Sequence, residues 1–287
     1  MATTLPAAVT IAGAGDRGMV KRVASALVLL PVFLLIVIKA PAYLFSVLVI
    51  LASAAALWEL ARLLELGGRP INRVLTVIAG TAVTAAFAVS RSLEPFTLPA
   101  FVLALAVVAI VAAPIWRGAS PTTEPAANTL LAVLYVGWLL GYGILLHQTS
   151  PNGDRLVLFV VGVTWVGETM AYVVGSTLGR HKLAPVISPR KTVEGGVAQV
   201  VASVAMALIL GAWLLPGCGV ALAAVAGALL GVIGQVGDLA ESVIKRSVGT
   251  KDTGGMIPGH GGVLDRIDSL LFNLPAFYYF SILAGCR

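Results

Sequence analysis

Charge is scarce in this sequence. Asp, Glu, Lys and Arg make up 11% of the 287 residues, against about 25% in an ordinary soluble domain. Hydrophobic residues make up 59%, which excludes a disordered chain and argues against a water-soluble fold. Cysteine is nearly absent, since Cys218 and Cys286 are the only two, and this excludes a disulfide-rich secreted scaffold. Both lie in apolar stretches, so we expect thiols buried in a membrane.

Long apolar stretches recur along the chain. A helix needs about 20 mostly apolar residues to cross the hydrocarbon layer of a membrane. Nine stretches fit: 23–38, 42–58, 74–90, 96–116, 129–147, 156–178, 195–216, 218–237 and 269–286. We therefore predict an all-α, polytopic integral membrane protein with nine transmembrane helices. Its single membrane domain would comprise a cytoplasmic N-terminal tail (1–22), N-terminal transmembrane helices (23–155) and a C-terminal region with cytoplasmic polar loops (156–287).

Basic residues predict the orientation of the chain, because Lys and Arg collect in cytoplasmic loops of membrane proteins. With nine crossings, one side of the membrane receives only four of the 19 basic residues: Lys39, Arg91, Arg155 and Arg287. All the others fall on the side that holds the N-terminus, which is therefore expected in the cytoplasm. Since this bias explains the net charge of +6, we expect no nucleic-acid partner.

Acidic residues form a stripe near the end of the eighth stretch. Asp238, Glu241, Ser242 and Lys245 are spaced as i, i+3, i+4 and i+7, which places them on one face of a helix. Two carboxylates and a hydroxyl suit a hard cation such as Mg²⁺. The alternative is a solvated amphipathic helix with local ion pairs.

A glycine-rich loop follows this stripe. Six glycines occur within residues 249–262, too many for a stable helix, and their amide groups can approach phosphate oxygens closely. The alternative is a flexible linker. A linker has no need for Asp265 and Asp268, which stand at i and i+3 directly before the last apolar stretch, so we favour a functional loop.

Carboxylates for a metal, with amides and bases for phosphates at a membrane surface, indicate phosphoryl or nucleotidyl transfer onto a lipid. A secondary transporter of an anionic substrate is the main alternative. It predicts polar residues distributed over paired halves, whereas here they concentrate in the C-terminal half. A phosphotransferase that consumes CDP-linked lipids would carry an Asp-Gly pair, and the sequence has none.

The residues of this region resemble the signature of the phosphatidate cytidylyltransferases, or CDP-diacylglycerol synthases. Three segments carry the resemblance: Ser242-Val-Ile-Lys245-Arg246, Lys251-Asp252, and Pro258-Gly-His260-Gly261-Gly262-Val-Leu-Asp265-Arg266-Ile-Asp268. The segment Ser188-Pro-x-Lys191-Thr192-x-Glu194-Gly195 is also similar. The similarity covers residues 160–286, and the preceding part of the chain matches only in being apolar and helical.

The resemblance implies a multi-pass helical enzyme that joins CTP and phosphatidic acid to give CDP-diacylglycerol and pyrophosphate. It implies Mg²⁺ as cofactor, with room for a second cation, and membrane lipid and a second copy of the chain as partners. The active site would face the cytoplasm from the plasma or inner membrane of a bacterium.

Residue roles carry over by position. The metal ligands would be Asp238 and Asp265, supported by Asp268, Asp252 and Glu241. The groups that hold the phosphates of CTP or lipid would be Lys245, Arg246, Lys251 and Arg266. The same polar cavity would be lined by Ser188, Lys191, Thr192, Ser242, Gly261 and Gly262. His260 would either stabilise the pyrophosphate leaving group or order the loop.

One position departs from the family pattern. The segment Trp165-x-x-Glu168-x-x-Ala-Tyr172 has glutamate where family members often have aspartate. The carboxylate is kept, one methylene further from the backbone. We expect Glu168 either to contribute to the site or to pair with a basic residue of the neighbouring loop.

Overall fold

The computed structural model describes residues 27, 30–90, 97–117, 122–149, 151–250, 253–254 and 261–286. The tail predicted at 1–22 lies outside the described residues, as do the site candidates Lys251, Asp252 and His260. The first predicted span, 23–38, is described in part, and its residues 30–38 are helical and form α1.

The remaining elements follow in chain order. The helices of the N-terminal half are α2 (Ala42–Leu66), α3 (Arg73–Val89), α4 (Thr97–Arg117), α5 (Glu124–Ala132), a π-helical turn (Val133–Trp138) and α6 (Leu139–Gln148). The C-terminal half has α7 (Gly153–Thr177), β1 (Lys182–Ala184), β2 (Ser188–Thr192), α8 (Val193–Leu214), a 3₁₀ turn (Pro216–Cys218), α9 (Val220–Ser247) and α10 (Leu264–Leu283).

Apolar helices dominate the described residues, which confirms the prediction of an all-α membrane protein. Within the described residues, six helices are long and apolar enough to cross a membrane: α2, α4, α7, α8, α9, and the continuous helix from α5 to α6. The count of nine crossings and the side of the N-terminus stay predictions. The largest differences from the predicted boundaries are at the ends of two helices, since α2 continues past residue 58 to Leu66 and α9 continues past residue 237 to Ser247.

A two-stranded antiparallel hairpin joins α7 to α8 in a region where the sequence predicted only a polar loop. Lys182 pairs with Thr192, and Ala184 pairs with Ser188. Thr192 is also the N-cap residue of α8, since its hydroxyl accepts a hydrogen bond from the amide of Gly195 at 3.2 Å. This N-cap fixes the end of the hairpin to the first turn of α8.

Small residues let the C-terminal helices pack closely. A Cβ added to Gly227 of α9 would lie 2.7 Å from the carbonyl oxygen of Ser203 in α8, and one added to Gly167 of α7 would lie 2.3 Å from Ser203 Oγ. Such contacts are typical of helices associated within membranes. Phe159 of α7 and Phe277 of α10 stack at a centroid distance of 5.0 Å, so α7 to α10 form one packed unit.

The π-helical turn packs directly on α3. A Cβ on Gly137 of this turn would lie 2.6 Å from the carbonyl oxygen of Gly80, so the two backbones are in contact. The hydroxyl of Thr84 lies 2.8 Å from the carbonyl oxygen of Gly137 and donates to it. The same hydroxyl is 2.8 Å from that of Ser53 on α2. These contacts join α2, α3 and the turn.

The two cysteines form a disulfide between Cys218 and Cys286. The expectation of membrane-buried thiols was therefore wrong. Cys218 ends the 3₁₀ turn before α9, and Cys286 follows the end of α10, so the antiparallel packing of α9 and α10 brings them together. Hydrophobic patterning contains no information about this contact between chain segments.

Candidate active site

The acidic stripe lies on α9 as the spacing predicted. α9 is helical from Val220 to Ser247, and it turns Glu241 and Ser242 inward, where Glu241 is fully buried. Asp238 lies one turn earlier and is half-buried. The interior placement of Glu241 is incompatible with the alternative of a solvated helix face.

Three carboxylates meet at the contact between α9 and α10. Asp238, Glu241 and Asp268 each offer an oxygen, and these atoms lie within 4.8 Å of one another. We call this group the acidic cluster. Glu241 Oε1 is buried and has no hydrogen-bond partner among the described residues. Carboxylates held this close repel one another unless protons or a cation neutralise them.

Lys245 supplies a positive charge beside the acidic cluster. Its ammonium group is paired with Glu241 and lies 3.0 Å from Asp265 Oδ1. The other carboxylate oxygen of Asp265 accepts hydrogen bonds from the amides of Gly262, at 3.0 Å, and Thr253, at 3.3 Å. Asp265 therefore joins the glycine-rich loop to Lys245.

The structure thus separates two residues that the sequence grouped. The sequence pairs Asp265 with Asp238 as first choices for metal binding, but among the described residues the acidic cluster joins Asp238 to Glu241 and Asp268. Spacing of i and i+3 places Asp265 and Asp268 on one side of α10. The rotation of that helix against α9 decides which of the two faces Asp238.

A cavity of about 470 Å³ opens beside the acidic cluster, between α7, the hairpin, α8 and α9. Asp238 belongs to both, and its Oδ2 lies 2.7 Å from the ammonium nitrogen of Lys191 on β2. The other polar side chains that line the cavity are Glu168, Tyr172, Ser176, Lys182, Arg190, Thr192, Gln199 and Gln235. The cavity is therefore lined by both carboxylates and cations.

Glu168 lies in this cavity, so the residue that departs from the family pattern is part of the site. Its charge interacts favourably with Lys191 and unfavourably with Asp238 and Asp268. Each of the two expectations for Glu168 describes part of the arrangement. Glu168 faces the site, and it also lies near Lys191 of the neighbouring hairpin.

The structure also describes three other predicted site residues: Arg246, Ser188 and Arg266. The guanidinium of Arg246 donates hydrogen bonds to the carbonyl oxygens of Ile187 and Thr250, both at 3.0 Å, and so connects α9 to the hairpin. Ser188, at the start of β2, is half-buried, and Arg266 is exposed on the first turn of α10. None of these three lines the cavity in the described part of the chain.

Sequence reasoning missed several polar residues of the site. Gln199 and Gln235 line the cavity, and Gly196 is close to Gln235, with a Cβ there only 2.5 Å from Gln235 Nε2. Tyr135 of the π-helical turn is buried, and its ring lies 6.2 Å from that of Phe272, one turn after Asp268 on α10. A single polar residue in a long apolar stretch is the signal that could have identified each of them.

Fold and site together define a multi-pass helical membrane protein with a polar site built by its C-terminal helices. The sequence profile of the Cytidylyltransferase family matches residues 20–284. The chain belongs to this family.

Curated relatives agree with this assignment. The chain is 42% identical over 150 residues to a phosphatidate cytidylyltransferase of Staphylococcus saprophyticus, which covers 52% of this chain and 56% of the relative. It is 40% identical over 158 residues to one of Staphylococcus aureus, with the same shares. The uncharacterized protein YnbB of Escherichia coli is 41% identical over 152 residues, covering 53% of this chain and 50% of that protein. The chain thus spans about half the length of these relatives, and nothing among them favours a transporter.

Proposed function

We propose that this protein transfers a cytidylyl group from CTP to phosphatidic acid, giving CDP-diacylglycerol and pyrophosphate. The observation that carries the proposal is the ion pair between Lys191, which lines the cavity, and Asp238, which belongs to the acidic cluster. A nucleoside triphosphate and a lipid phosphate are both anionic and repel each other. Their reaction therefore needs positive charge beside both phosphate groups, which lowers this repulsion. The names of the relatives support this choice of substrates.

The reaction needs no nucleophile from the protein. A phosphate oxygen of phosphatidic acid attacks the α-phosphorus of CTP, and a new P–O bond forms. The bond between the α-phosphorus and the oxygen that bridges to the β-phosphate breaks, and pyrophosphate leaves with that electron pair. The protein therefore has to orient two phosphates in line and stabilise charge on the leaving group.

The residues of the acidic cluster fit a divalent cation. Asp238, Glu241 and Asp268 would hold it, since hard cations take carboxylate oxygens and Glu241 Oε1 is buried without a partner among the described residues. When bound, Mg²⁺ would supply Lewis-acid stabilisation of phosphate charge. The second cation that the family resemblance implies stays a prediction.

Protein side chains would do the remaining work. Lys191 reaches the cavity and would bind a phosphate oxygen when the substrates compete with Asp238 for its ammonium group. Lys182 and Arg190 line the same cavity and add positive charge for the triphosphate or the lipid headgroup. Lys245 would offset the negative charge of Glu241 and hold Asp265 in place.

The disulfide supports a cytoplasmic active site in the plasma or inner membrane. Disulfides persist on the oxidising side of that membrane. Cys218 and Cys286 fall on the side that the distribution of basic residues assigns to the exterior, opposite the loops that carry the site. The homodimer implied by the family resemblance stays a prediction.

The test is synthesis of CDP-diacylglycerol by purified protein in detergent from labelled CTP, phosphatidic acid and Mg²⁺. We expect product from the wild type and none above background from Asp238→Asn, in which an amide replaces a charged ligand. The matched control is Asp154→Asn. Asp154 lies in the first turn of α7, at the other end of this helix from the residues that line the cavity, so this variant should retain activity. A folded wild-type protein that makes no product would overturn the proposal.

A further inference from the structure

A buried acid of the N-terminal half contacts the glycine-rich loop. Glu59 lies on α2, a helix long and apolar enough to cross a membrane, and only 4% of its surface is exposed. Burying a carboxylate among apolar side chains is costly unless hydrogen-bond donors compensate for the lost water. The groups that Glu59 contacts therefore indicate what it does.

One of these groups is the first amide of α10. Glu59 Oε2 accepts a hydrogen bond at 3.0 Å from the backbone N–H of Leu264, which is 205 residues further along the chain. Val263, the N-cap residue of α10, makes no side-chain capping bond. Glu59 thus caps α10 from another helix, and the partial positive charge of a helix N-terminus favours a carboxylate there.

The same carboxylate lies against the backbone of the loop on both sides. A Cβ on Gly262 would lie 2.7 Å from Glu59 Oε2, and a Cβ on Gly254 would lie 3.0 Å from Oε1. The absence of side chains at these two positions allows the carboxylate to approach. Glu59 is therefore enclosed by the described parts of the loop that precede α10.

The first turn of α10 carries one carboxylate of the site, and a second follows directly after it. Asp265 follows Leu264 directly and pairs with Lys245, and Asp268 belongs to the acidic cluster. A shift of this turn would move both carboxylates relative to α9. The hydrogen bond from Leu264 to Glu59 is thus one residue away from the site, although Glu59 belongs to the other half of the chain.

We propose that Glu59 is a positioning residue for cytidylyl transfer. It holds the first turn of α10 against α2 and thereby sets where Asp265 and Asp268 stand. The assignment to this reaction rests on the proposed function. The hydrogen bond itself can be tested without it.

The experiment compares Glu59→Gln with Glu59→Leu. Both side chains are close to glutamate in size, but only the amide oxygen of glutamine can accept the hydrogen bond from Leu264. We expect Glu59→Gln to keep most of the wild-type kcat. We expect Glu59→Leu to lose at least about tenfold in kcat, the range seen when groups that orient metal ligands are removed, with a smaller change in KM for CTP. Glu65→Leu, at a half-buried acid of the same helix that pairs with Arg73 on α3, is the matched control and should keep wild-type kcat.

A second measurement, amide hydrogen exchange of residues 261–268, separates the contact from the reaction. Faster exchange in Glu59→Leu but not in Glu59→Gln supports the positioning contact, even if the wild type makes no product and the proposed function fails. Equal kcat and equal exchange for the two variants would overturn the inference, because packing alone would then explain Glu59.

Gly262→Ala tests the contact from the loop side if Glu59→Leu does not fold. Its Cβ would lie 2.2 Å from Thr253 Oγ1 and 2.7 Å from Glu59 Oε2, so the loop or these side chains have to shift and the contact with Glu59 is disturbed. We expect the same loss of kcat and the same faster exchange in residues 263–268. Wild-type values for both would overturn the inference.

Discussion

The ammonium nitrogen of Lys191 lies 2.7 Å from Oδ2 of Asp238. The two residues come from different elements, a short strand and a long helix, and the cavity opens between them. In the proposed reaction, Lys191 binds a substrate phosphate and Asp238 binds the metal ion. Substrate binding would therefore replace the ion pair between Lys191 and Asp238 by one ion pair for each residue.

Replacement of Lys191 tests this exchange. Lys191→Ala should raise KM for a phosphate-bearing substrate by about tenfold or more, since a hydrogen bond to a charged group contributes about 1.5–3 kcal/mol. Lys191→Arg should retain part of the affinity. The measurement is initial rate against CTP and phosphatidic acid in turn. Lys39→Ala, on the opposite side by the predicted topology, serves as control, and unchanged kinetics in Lys191→Ala would remove the residue from the site.

Replacement of Asp265 and Asp268 distinguishes the two ligand sets. Asp268→Asn should raise the Mg²⁺ concentration for half-maximal activity, because Asp268 belongs to the acidic cluster. Asp265→Asn should lower kcat with a smaller change in that concentration, because Asp265 contacts Lys245 and Gly262. Titration of activity with Mg²⁺ measures both. The opposite ranking would restore Asp265 as the ligand that the sequence favoured.

Loss of the Thr192 N-cap should destabilise α8. Thr192→Val keeps the side-chain shape but removes the acceptor for the Gly195 amide, at an expected cost of about 0.5–2 kcal/mol, whereas Thr192→Ser keeps it. Thermal unfolding in detergent compares them. Thr177→Val, whose hydroxyl is exposed at the end of α7, is the control, and a Tm of Thr192→Val equal to that of Thr192→Ser would contradict the capping function.

Thiol labelling tests the orientation. In intact cells, a membrane-impermeant maleimide should label Gly217→Cys in a chain whose two natural cysteines are replaced by serine, since Gly217 is exposed between α8 and α9, at the end that we assign to the exterior. Val186→Cys, in a chain whose two natural cysteines are replaced by serine, should be labelled only after the cells are opened, because the exposed hairpin turn would face the cytoplasm. The reverse pattern would invert the predicted topology.

Local patterns in the sequence predicted those parts of the site that lie on one element. Spacing alone placed Asp238, Glu241 and Lys245 on one face of α9, and the structure confirms it. The density of glycine before Asp265 predicted a non-helical loop, and its described residues lie outside helices, whereas its approach to phosphate oxygens stays a prediction. Within one helix or one turn, the spacing of residues along the chain determines their arrangement in space.

Relationships between elements could not be predicted in this way. The prediction ended the second span at residue 58, so Glu59 fell outside it, and nothing in the local pattern indicated that its carboxylate caps α10. The disulfide was missed for the same reason, because Cys218 and Cys286 meet only through helix packing. The division between Asp265 and Asp268 depends on the rotation of α10, which a pattern on one helix does not specify.

The π-helical turn at Val133–Trp138 gives the middle of its helix room to lose one residue. A π turn holds one residue more than the α turn that it replaces, so a one-residue deletion there would convert it into regular α-helix. The helices on the two sides of the turn would keep their mutual phase, whereas the same deletion elsewhere in α5 or α6 would rotate one side by about 100° relative to the other. Removal of Gly137 itself would bring a larger side chain against Gly80. We therefore expect a one-residue deletion to be tolerated within the turn, provided that Gly137 keeps its contact with Gly80.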